Sequence, residues 1–325
     1  MTHIRIGTRG SKLALWQAYY VQEKLQAGGL TTEIVLIDTK GDQILDRSLS
    51  KIGSKGVFTQ ELEDQLRDGH IDIAVHSAKD LQSELATDLE LIAFTQREKA
   101  NDVLVSFKKE VTVDIGRSTL DVGNQTLHST LYTLHSKLTI GTSSTRRIAL
   151  LKHFYPHVQT VDMRGNLQTR LRKLEENHCD ALLLAYAGVH RMEYDALIVE
   201  HLPLDKFTPA VGQGSVAIEV FAGMEKAKKA QLRALLNHTE TEICLLAERA
   251  FLRRLQGGCS VPVFGLATLQ NNQITMTGGV VSLDGTQLLK QTETATDSEK
   301  LGISVANALL DRGAAEILAA IKNQS

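Results

Sequence analysis

LTIGTSSTRRIALLKHFYPHVQTVDMRGNLQTRLRKLEENHCDALLLA, residues 138–185, alternates short apolar runs with amphipathic ones. Leu138–Ile140 reads as a strand, Ser144–Tyr155 as a helix and Val158–Val161 as a second strand. Asn166–Glu176 follows as a helix with Leu167, Leu171 and Leu174 inward, and Ala181–Ala185 as a third strand. Strand, helix, strand, helix, strand is the rhythm of a parallel sheet with covering helices.

The same rhythm opens the chain. Ile4–Thr8 is a strand, and Ser11 caps a helix whose apolar face runs Ala14, Ala18, Val21, Leu25 until Gly28 and Gly29 stop it. Glu33–Asp38 is a second strand and Phe58–Asp68 a helix ended by Gly69. Ile71, Ile73 and Val75 alternate into a third strand that runs out at His76 and Ser77. Two α/β units are therefore expected. After about residue 224 the pattern changes to a long helix, Thr239–Leu255, with Ile243, Leu246, Ala247, Ala250 and Phe251 on one side. Three β runs follow, Val261–Leu269, Gln273–Ser282 and Thr286–Thr292, with Asn271-Asn272 and Asp284-Gly285 as hairpin turns. A last helix runs from an Asp297 cap to Arg312, giving a small α+β domain. The polar, Thr/Ser-rich stretch from Ser106 to Ser136 fits neither rhythm and reads as a loop, a short hairpin or a mobile insertion.

Composition narrows the partners. The 325 residues carry 42% hydrophobic and 23% charged side chains, ordinary for a globular protein of two or three domains. Lys plus Arg at 36 against Asp plus Glu at 38 leaves a net charge of −2, so no global field invites nucleic acid or a membrane surface. The N-terminus has no basic-then-apolar signal plan, and no apolar run reaches the roughly 18 residues a bilayer needs. A cytoplasmic location is expected. Cys179, Cys244 and Cys259 are odd in number and far apart, which argues against a disulfide framework or structural zinc. No His, Asp or Glu cluster has metal spacing, and His76, alternating with Ile73 and Val75, reads as structural.

Chemistry gathers at strand ends. In GTSSTRR, Gly141–Arg147, a helix N-terminus offers free N–H groups, Thr142, Ser143 and Ser144 add hydroxyls, and Arg146 and Arg147 add planar forks that match carboxylates. A capped helix with two surface arginines would use the same letters. Arg164 lies in a strand-to-helix loop, Arg170 sits near the core boundary of the helix, and Arg172 and Lys173 point outward. GTRGSKLALWQ, Gly7–Gln17, repeats the design with Arg9 and Ser11. Two such termini imply a shared cleft at the carboxyl ends of the strands. AVHSAKD, Ala74–Asp80, brings Lys79 and Asp80 to another strand end, as a catalytic pair or a surface ion pair. LQGGCSVPV, Leu255–Val263, places Cys259 after two glycines, as an exposed thiol or a small buried hydrophobe. TPAVGQGSVAIEV, Thr208–Val220, reads as a crossover back to the first sheet.

Taken in order, RIGTRGSKLALWQ, KGVFTQELE, DIAVHSAKD, GTSSTRR, RGNLQTRL, PAVGQGSVAIE and AERAFLRRLQGGCSVPV resemble the porphobilinogen deaminase (hydroxymethylbilane synthase) family over nearly the whole chain. The resemblance implies an α/β fold of two periplasmic-binding-protein-like lobes with mixed sheets plus a small α+β C-terminal domain. The limits expected are 1–97 with 208–223, 98–207, and 224–325. It implies a cytoplasmic monomeric transferase of haem biosynthesis that joins four porphobilinogen molecules head to tail into hydroxymethylbilane and releases ammonia. A dipyrromethane cofactor would be held covalently through a thioether to Cys259. Asp80, with Lys79, would be catalytic. Lys79, Asp80, Thr142, Ser143, Ser144, Arg146, Arg147, Arg164, Gly165, Gly188 and Gln213 would contact the cofactor. Arg9, Ser11, Arg146, Arg147, Arg164, Arg170 and Arg191 would bind the substrate's acetate and propionate groups, and Lys55 and Phe58 would cover the site. No metal is expected. The physics is consistent: each pyrrole brings two carboxylates, arginines cannot deprotonate, and a carboxylate can stabilise the cationic azafulvene left by deamination.

Four positions depart from the family pattern. Ala78 stands where Met is common, Leu81-Gln82 replaces Val-Pro, and Gln60 replaces a frequent lysine. A non-catalytic two-lobe anion-binding protein would also explain the anion loops and crossovers, but not Cys259, the Lys79–Asp80 pair or the third domain. An unrelated transferase using Cys259 as a transient nucleophile lacks a partner histidine near any motif.

Overall fold

The computed structural model describes residues 2–39, 59–113, 138–258 and 261–322. Lys55, Phe58, Cys259, Gln60's N-terminal neighbours before Thr59 and most of the expected insertion lie outside the described residues.

The first sheet has the order β2-β1-β3-β10-β4. It is built from β1 (His3–Thr8), β2 (Thr31–Leu36), β3 (Ile73–Ser77), β4 (Leu89–Phe94) and β10 (Val216–Phe221). The second sheet, β7-β6-β8-β5-β9, repeats that plan. Its strands are β5 (Asp102–Val105), β6 (Thr139–Gly141), β7 (Gln159–Val161), β8 (Ala181–Ala185) and β9 (Ile198–His201). In each sheet four strands run the same way, and the fifth, the first one laid down after a crossover, inserts antiparallel between two of them. The chain crosses once between β4 and β5 and returns between β9 and β10, so two peptide segments join the lobes.

Ile71, Ile73 and Val75 read as alternating positions of one strand. In the structure Ile73, Ala74, Val75 and His76 are all buried, because β3 is central and covered on both faces. Its covering helices are α1 (Lys12–Ala27), which buries Ala18, Val21 and Leu25, and α2 (Gln60–Arg67), which buries Leu62 and Leu66. Ala14 faces the cleft instead of the core. The second lobe carries α3 (Thr145–Phe154), α4 (Leu167–Glu175) and a short α5 (Tyr186–Arg191) that sequence periodicity did not mark.

The third sheet is the antiparallel meander β11 (Val263–Gln270), β12 (Gln273–Val281), β13 (Leu288–Ala295). Asn271 and Asn272 both take positive φ in its first turn, as a two-residue hairpin requires. Phe251 of α7 (Thr239–Arg254), Met276 and Val305 of α8 (Ser298–Leu309) share its core. A further helix, α9 (Ala315–Lys322), follows a wide turn at Gly313.

Two expectations shift. The helix α6 (Lys226–Leu236) buries Leu232 and Leu236 in the first lobe's core, so packing with that lobe continues past residue 224. Leu246 on α7 is 43% exposed, not buried. The helix is gripped from two sides: Leu245 packs with Ala78, Leu81 and Phe94 of the first lobe, while Ala247 and Phe251 serve the third domain. Leu246 lies between those grips. Phe264 and Val281 of the third domain pack with Phe207 and Leu104 in the second lobe's core, so this domain braces both lobes.

Candidate active site

All the functional loops leave the carboxyl ends of parallel strands. Arg9 follows β1, and Lys79 and Asp80 follow β3 in a one-turn 3-10 segment, Ala78–Asp80. Thr142–Ser144 follow β6, Arg164 and Gly165 follow β7, and Arg191 ends the helix after β8. This is where an open α/β sheet leaves room for a ligand.

In the first lobe, Arg9, Ser11, Gln17, Thr59, His76, Ser77 and Asp80 line one cavity of about 80 Å³. Ser11 is the N-cap of α1, its hydroxyl accepting from Ala14 N at 3.3 Å. Gln17 Nε2 donates to Ser77 Oγ at 2.8 Å, tying α1 to the strand end that carries Lys79 and Asp80. His76 is structural, as expected: it is buried, with Nε2 3.1 Å from Glu219 Oε2 on the neighbouring strand.

Lys79 is partly exposed, yet it sits among enough protein that loss of water pulls its ammonium pKa down to about 8. Asp80 and Asp102 oppose that shift, while Arg147 and Arg146 reinforce it. The first lobe's Lys79 is thus within electrostatic reach of the second lobe's arginine pair.

Arg146 and Arg147 are not surface residues. They are 4% and 6% exposed and both clasp Asp102, which is fully buried. Arg147 Nη2 and Nε reach Asp102 Oδ1 at 2.8 and 3.1 Å, and Arg146 Nη2 lies 2.8 Å from Oδ2. Burial would raise the Asp102 pKa, but the two guanidiniums outweigh it and hold the carboxyl well below its ordinary range. Arg146 Nη1 also donates to Thr208 O at 2.9 Å, and Arg147 Nη1 to Leu183 O at 3.0 Å. Arg146 Nε, buried, has no hydrogen-bond acceptor. Asp102 was not marked by the sequence reading. Its signal was an acid opening the apolar run DVLV, where a charge needs a buried partner.

The hydroxyls of the anion loop have local duties. Ser144 caps α3 through Arg147 N at 3.5 Å, and Thr142, buried, accepts from Ser144 N at 3.3 Å. Ser143 Oγ donates to Met163 O at 2.7 Å and accepts from Met163 N at 3.1 Å, locking this loop to the one that carries Arg164.

Arg164 Nε lies 3.2 Å from Asp162 Oδ2. Gly165, at φ +105°, turns its carbonyl to accept from Arg170 Nε at 2.8 Å. Burial lowers the Arg170 pKa to about 10, with Arg147 and Arg164 adding to the shift and Asp162 and Asp80 resisting it. Arg147, Arg164, Arg170 and Asp80 therefore share one electrostatic neighbourhood across the two lobes. Arg172 is exposed, as expected of a solvated face.

The crossovers hold the lobes in register. Gln213 is buried, its Nε2 donating to Ala100 O at 2.7 Å and Asp102 Oδ1 at 3.0 Å. Gly212, at φ +77°, lies so close to the Lys79 turn that a Cβ there would sit 2.8 Å from Ala78 C and 2.9 Å from Lys79 N. Its N–H donates to Glu248 Oε2 at 2.8 Å, and Glu248 Oε1 takes Arg97 Nη1 at 2.5 Å and Ala267 N at 2.8 Å. One buried carboxylate of the third domain so binds a crossover from each direction. Gly188 faces Leu13, and Arg191 reaches Gly214 O at 2.7 Å. The flanks of Cys259, Gly258 and Val261, are partly exposed at the end of the α7 turn.

Four carboxylates of a dipyrromethane would need a dense cationic wall. Arg9 lines the cavity with Asp80, Arg164 and Arg170 stand together in the second lobe, and the buried Arg146 Nε is a donor without an acceptor, so the residues present fit such a group. Among the described residues no cluster of three or more His, Cys, Asp or Glu could hold a metal, and no helix is long and apolar enough to cross a membrane.

Comparison with known proteins follows the same lines. The family model "Porphobilinogen deaminase, dipyromethane cofactor binding domain" matches residues 4–229, and "Porphobilinogen deaminase, C-terminal domain" matches 242–311. The porphobilinogen deaminase of Cytophaga hutchinsonii is 56% identical over 98% of this chain and 97% of its own. That of Desulfosudis oleivorans is 52% identical over 99% and 98%. Among solved structures, the methionine binding protein MetQ matches with a TM-score of 0.41 at 12% identity, covering 71% of this chain and 88% of its own. With both family domains matched in order and relatives more than half identical end to end, the chain belongs to the porphobilinogen deaminase family.

Proposed function

We propose that this chain carries out the family's reaction with Asp80 at the reacting centre, the arginines of both lobes on the carboxylates, and Cys259 as the covalent anchor. The enzyme is a transferase of tetrapyrrole biosynthesis that condenses four porphobilinogen molecules head to tail into hydroxymethylbilane, with release of ammonia. Its dipyrromethane cofactor supplies a fixed pyrrole primer from which the chain is extended.

The single observation that carries the residue assignment is that the Lys79–Asp80 turn of one lobe lies against Gly212, whose neighbour Gln213 bonds Asp102, the carboxylate clasped by Arg146 and Arg147 of the other lobe. Porphobilinogen brings two carboxylates and one cationic aminomethyl group. Guanidinium forks of Arg9, Arg164 and Arg170 bind the carboxylates and orient the ring. Asp80 stabilises positive charge that develops on the pyrrole nitrogen as ammonia leaves, and accepts or returns the proton lost at the coupling carbon. Arg146 and Arg147 act as the rigid floor, since Asp102 already clasps them; ligand carboxylates reach only their remaining donors. Ser11 and Ser144 contribute by capping the helices behind the site, and Thr142 and Ser143 by fixing the loops that carry the arginines. Gly165, Gly188 and Gln213 line the site; Lys55 and Phe58, its expected cover, lie outside the described residues.

Cytoplasmic location and a monomeric state complete the reading, together with lobes at 1–97 with 208–223, and 98–207, and a third domain from 224, its first helix docked on the first lobe. A binding protein without catalysis would need neither the Lys79–Asp80 turn nor a third domain bracing both lobes.

Intact mass tests the anchor. The purified protein should exceed its sequence mass by two linked pyrrole units, and Cys259→Ser should remove the excess. An active protein of bare sequence mass would refute it. Turnover tests the acid: Asp80→Asn should lower kcat by at least about a hundredfold, with substrate loading changed far less. Unchanged kcat would take Asp80 out of the reaction.

A further inference from the structure

Arg191 ends α5 in the second lobe, and its guanidinium sits over the ring of Trp16 in the first lobe, 5.2 Å from the ring centroid. Trp16 is the chain's only tryptophan. Its ring stacks in turn on Tyr20 one helical turn later, at 5.5 Å and 7° between planes. Gly188 on α5 meets Leu13 on α1 close by, so the helices approach each other at this point. Arg191 Nη2 donates to Gly214 O at 2.7 Å, and the same carbonyl accepts from Glu98 N at 3.0 Å. Gly214 and Glu98 lie on the two crossovers. The fork of this second-lobe residue therefore touches the first lobe and the returning crossover, at the carbonyl that also takes the outgoing one. Its remaining N–H donors find no hydrogen-bond acceptor among the described residues. Burial disfavours its charge, with Glu98 and Tyr20 acting to restore it.

A flexible arginine at a moving boundary would lose orientation each time the lobes shift. A flat aromatic face restrains the guanidinium plane without consuming its in-plane donors. We propose that Trp16 is a positioning residue, its indole face holding Arg191 across the lobe boundary so that the free edge of the fork meets a substrate carboxylate. The idea rests on the reading of Arg191 as a carboxylate ligand and deepens it by naming what orients that ligand. It also makes Trp16 a built-in reporter, because lobe movement must slide or part the stack.

The test uses the cofactor-loaded full chain. Trp16→Leu should raise KM for porphobilinogen several-fold, up to about thirtyfold, which is the range of a cation–π contact, while kcat falls by less than about twofold. Trp16→Phe keeps an aromatic face and should restore most of the loss. Far-UV circular dichroism and the thermal midpoint identify a variant that has merely unfolded. Independently of turnover, Arg191→Met should alter Trp16 emission and increase its quenching by acrylamide in the resting protein, and porphobilinogen should alter the emission of the wild type. KM unchanged in Trp16→Leu, Trp16→Phe as impaired as Trp16→Leu, or Trp16 emission indifferent to Arg191→Met would each overturn the proposal. If the wild type failed to consume porphobilinogen, the catalytic reading would fall, and the Arg191→Met emission would still decide the stack.

Discussion

Lys79 shows how a single side chain can set a pH limit. In water its ammonium would hold its proton up to about 10.4; here burial lowers that value to about 8. The charged form is the one that binds a carboxylate. Bound carboxylates can only raise the value, so a rise in KM for porphobilinogen should begin at or above about pH 8. Lys79→Arg, whose charge does not titrate in that range, should move this alkaline limb upward. A limb that stays in place would assign it to another group. The sign for stability is opposite: the folded state disfavours charged Lys79, so this residue costs stability below pH 8, and the cost is relieved as pH climbs toward the unfolded value. Arg146 and Arg147 illustrate what letters alone leave open. GTSSTRR is the same string whether its arginines point at solvent, at ligand or at a buried acid. Asp102 decides the matter, and it lies forty-odd residues away on another strand.

Turns and strand ends place the reactive groups. The 3-10 turn Ala78–Asp80 rests against Gly212, which belongs to the returning crossover. Gly212→Ala would add a Cβ to a positive-φ residue with backbone atoms of Ala78 and Lys79 in the way. It should lower stability by more than about 1 kcal/mol and depress kcat, because the turn that must move carries Asp80. Gly29→Ala, at φ +82° but facing open space, serves as the control. It should cost stability without touching kcat. Equal losses of kcat in the two variants would separate the turn's position from catalysis. The long helix α7 teaches a related lesson. Its heptad-like pattern suggests one buried face that includes Leu246, yet the helix serves two neighbours at an angle, and Leu246 lies between them.

The whole molecule is tied together by Glu248. Its two oxygens join Arg97 on the outgoing crossover, Gly212 on the return and Ala267 in the third sheet. Glu248→Ala would leave Arg97 charged, largely buried and without this partner. Truncating one member of a buried pair costs about 3–5 kcal/mol. Denaturant midpoints should show that loss for Glu248→Ala. The double variant with Arg97→Ala should cost less than the sum of the singles, as coupled partners do. Additive losses would show the two residues acting apart.

Local pattern determined much of this protein before any tertiary contact was considered. Glycine stops, Ser and Asp caps, Asn-Asn and Asp-Gly turns, and apolar spacing marked most of the helices and strands, since each depends on nearby residues alone. Ordered motifs identified the family and pointed to the acid, the thiol and the arginines proposed above for its reaction. The pairing of Asp102 with Arg146 and Arg147 belongs to the folded chain, as do the Glu248 junction, the docking of α6 on the first lobe and the stack of Arg191 on Trp16. Each joins residues whose separation in sequence carries no periodic signal. Their placement comes from the insertion of one antiparallel strand into each sheet, and a buried charge finds its partner only once both sheets have formed.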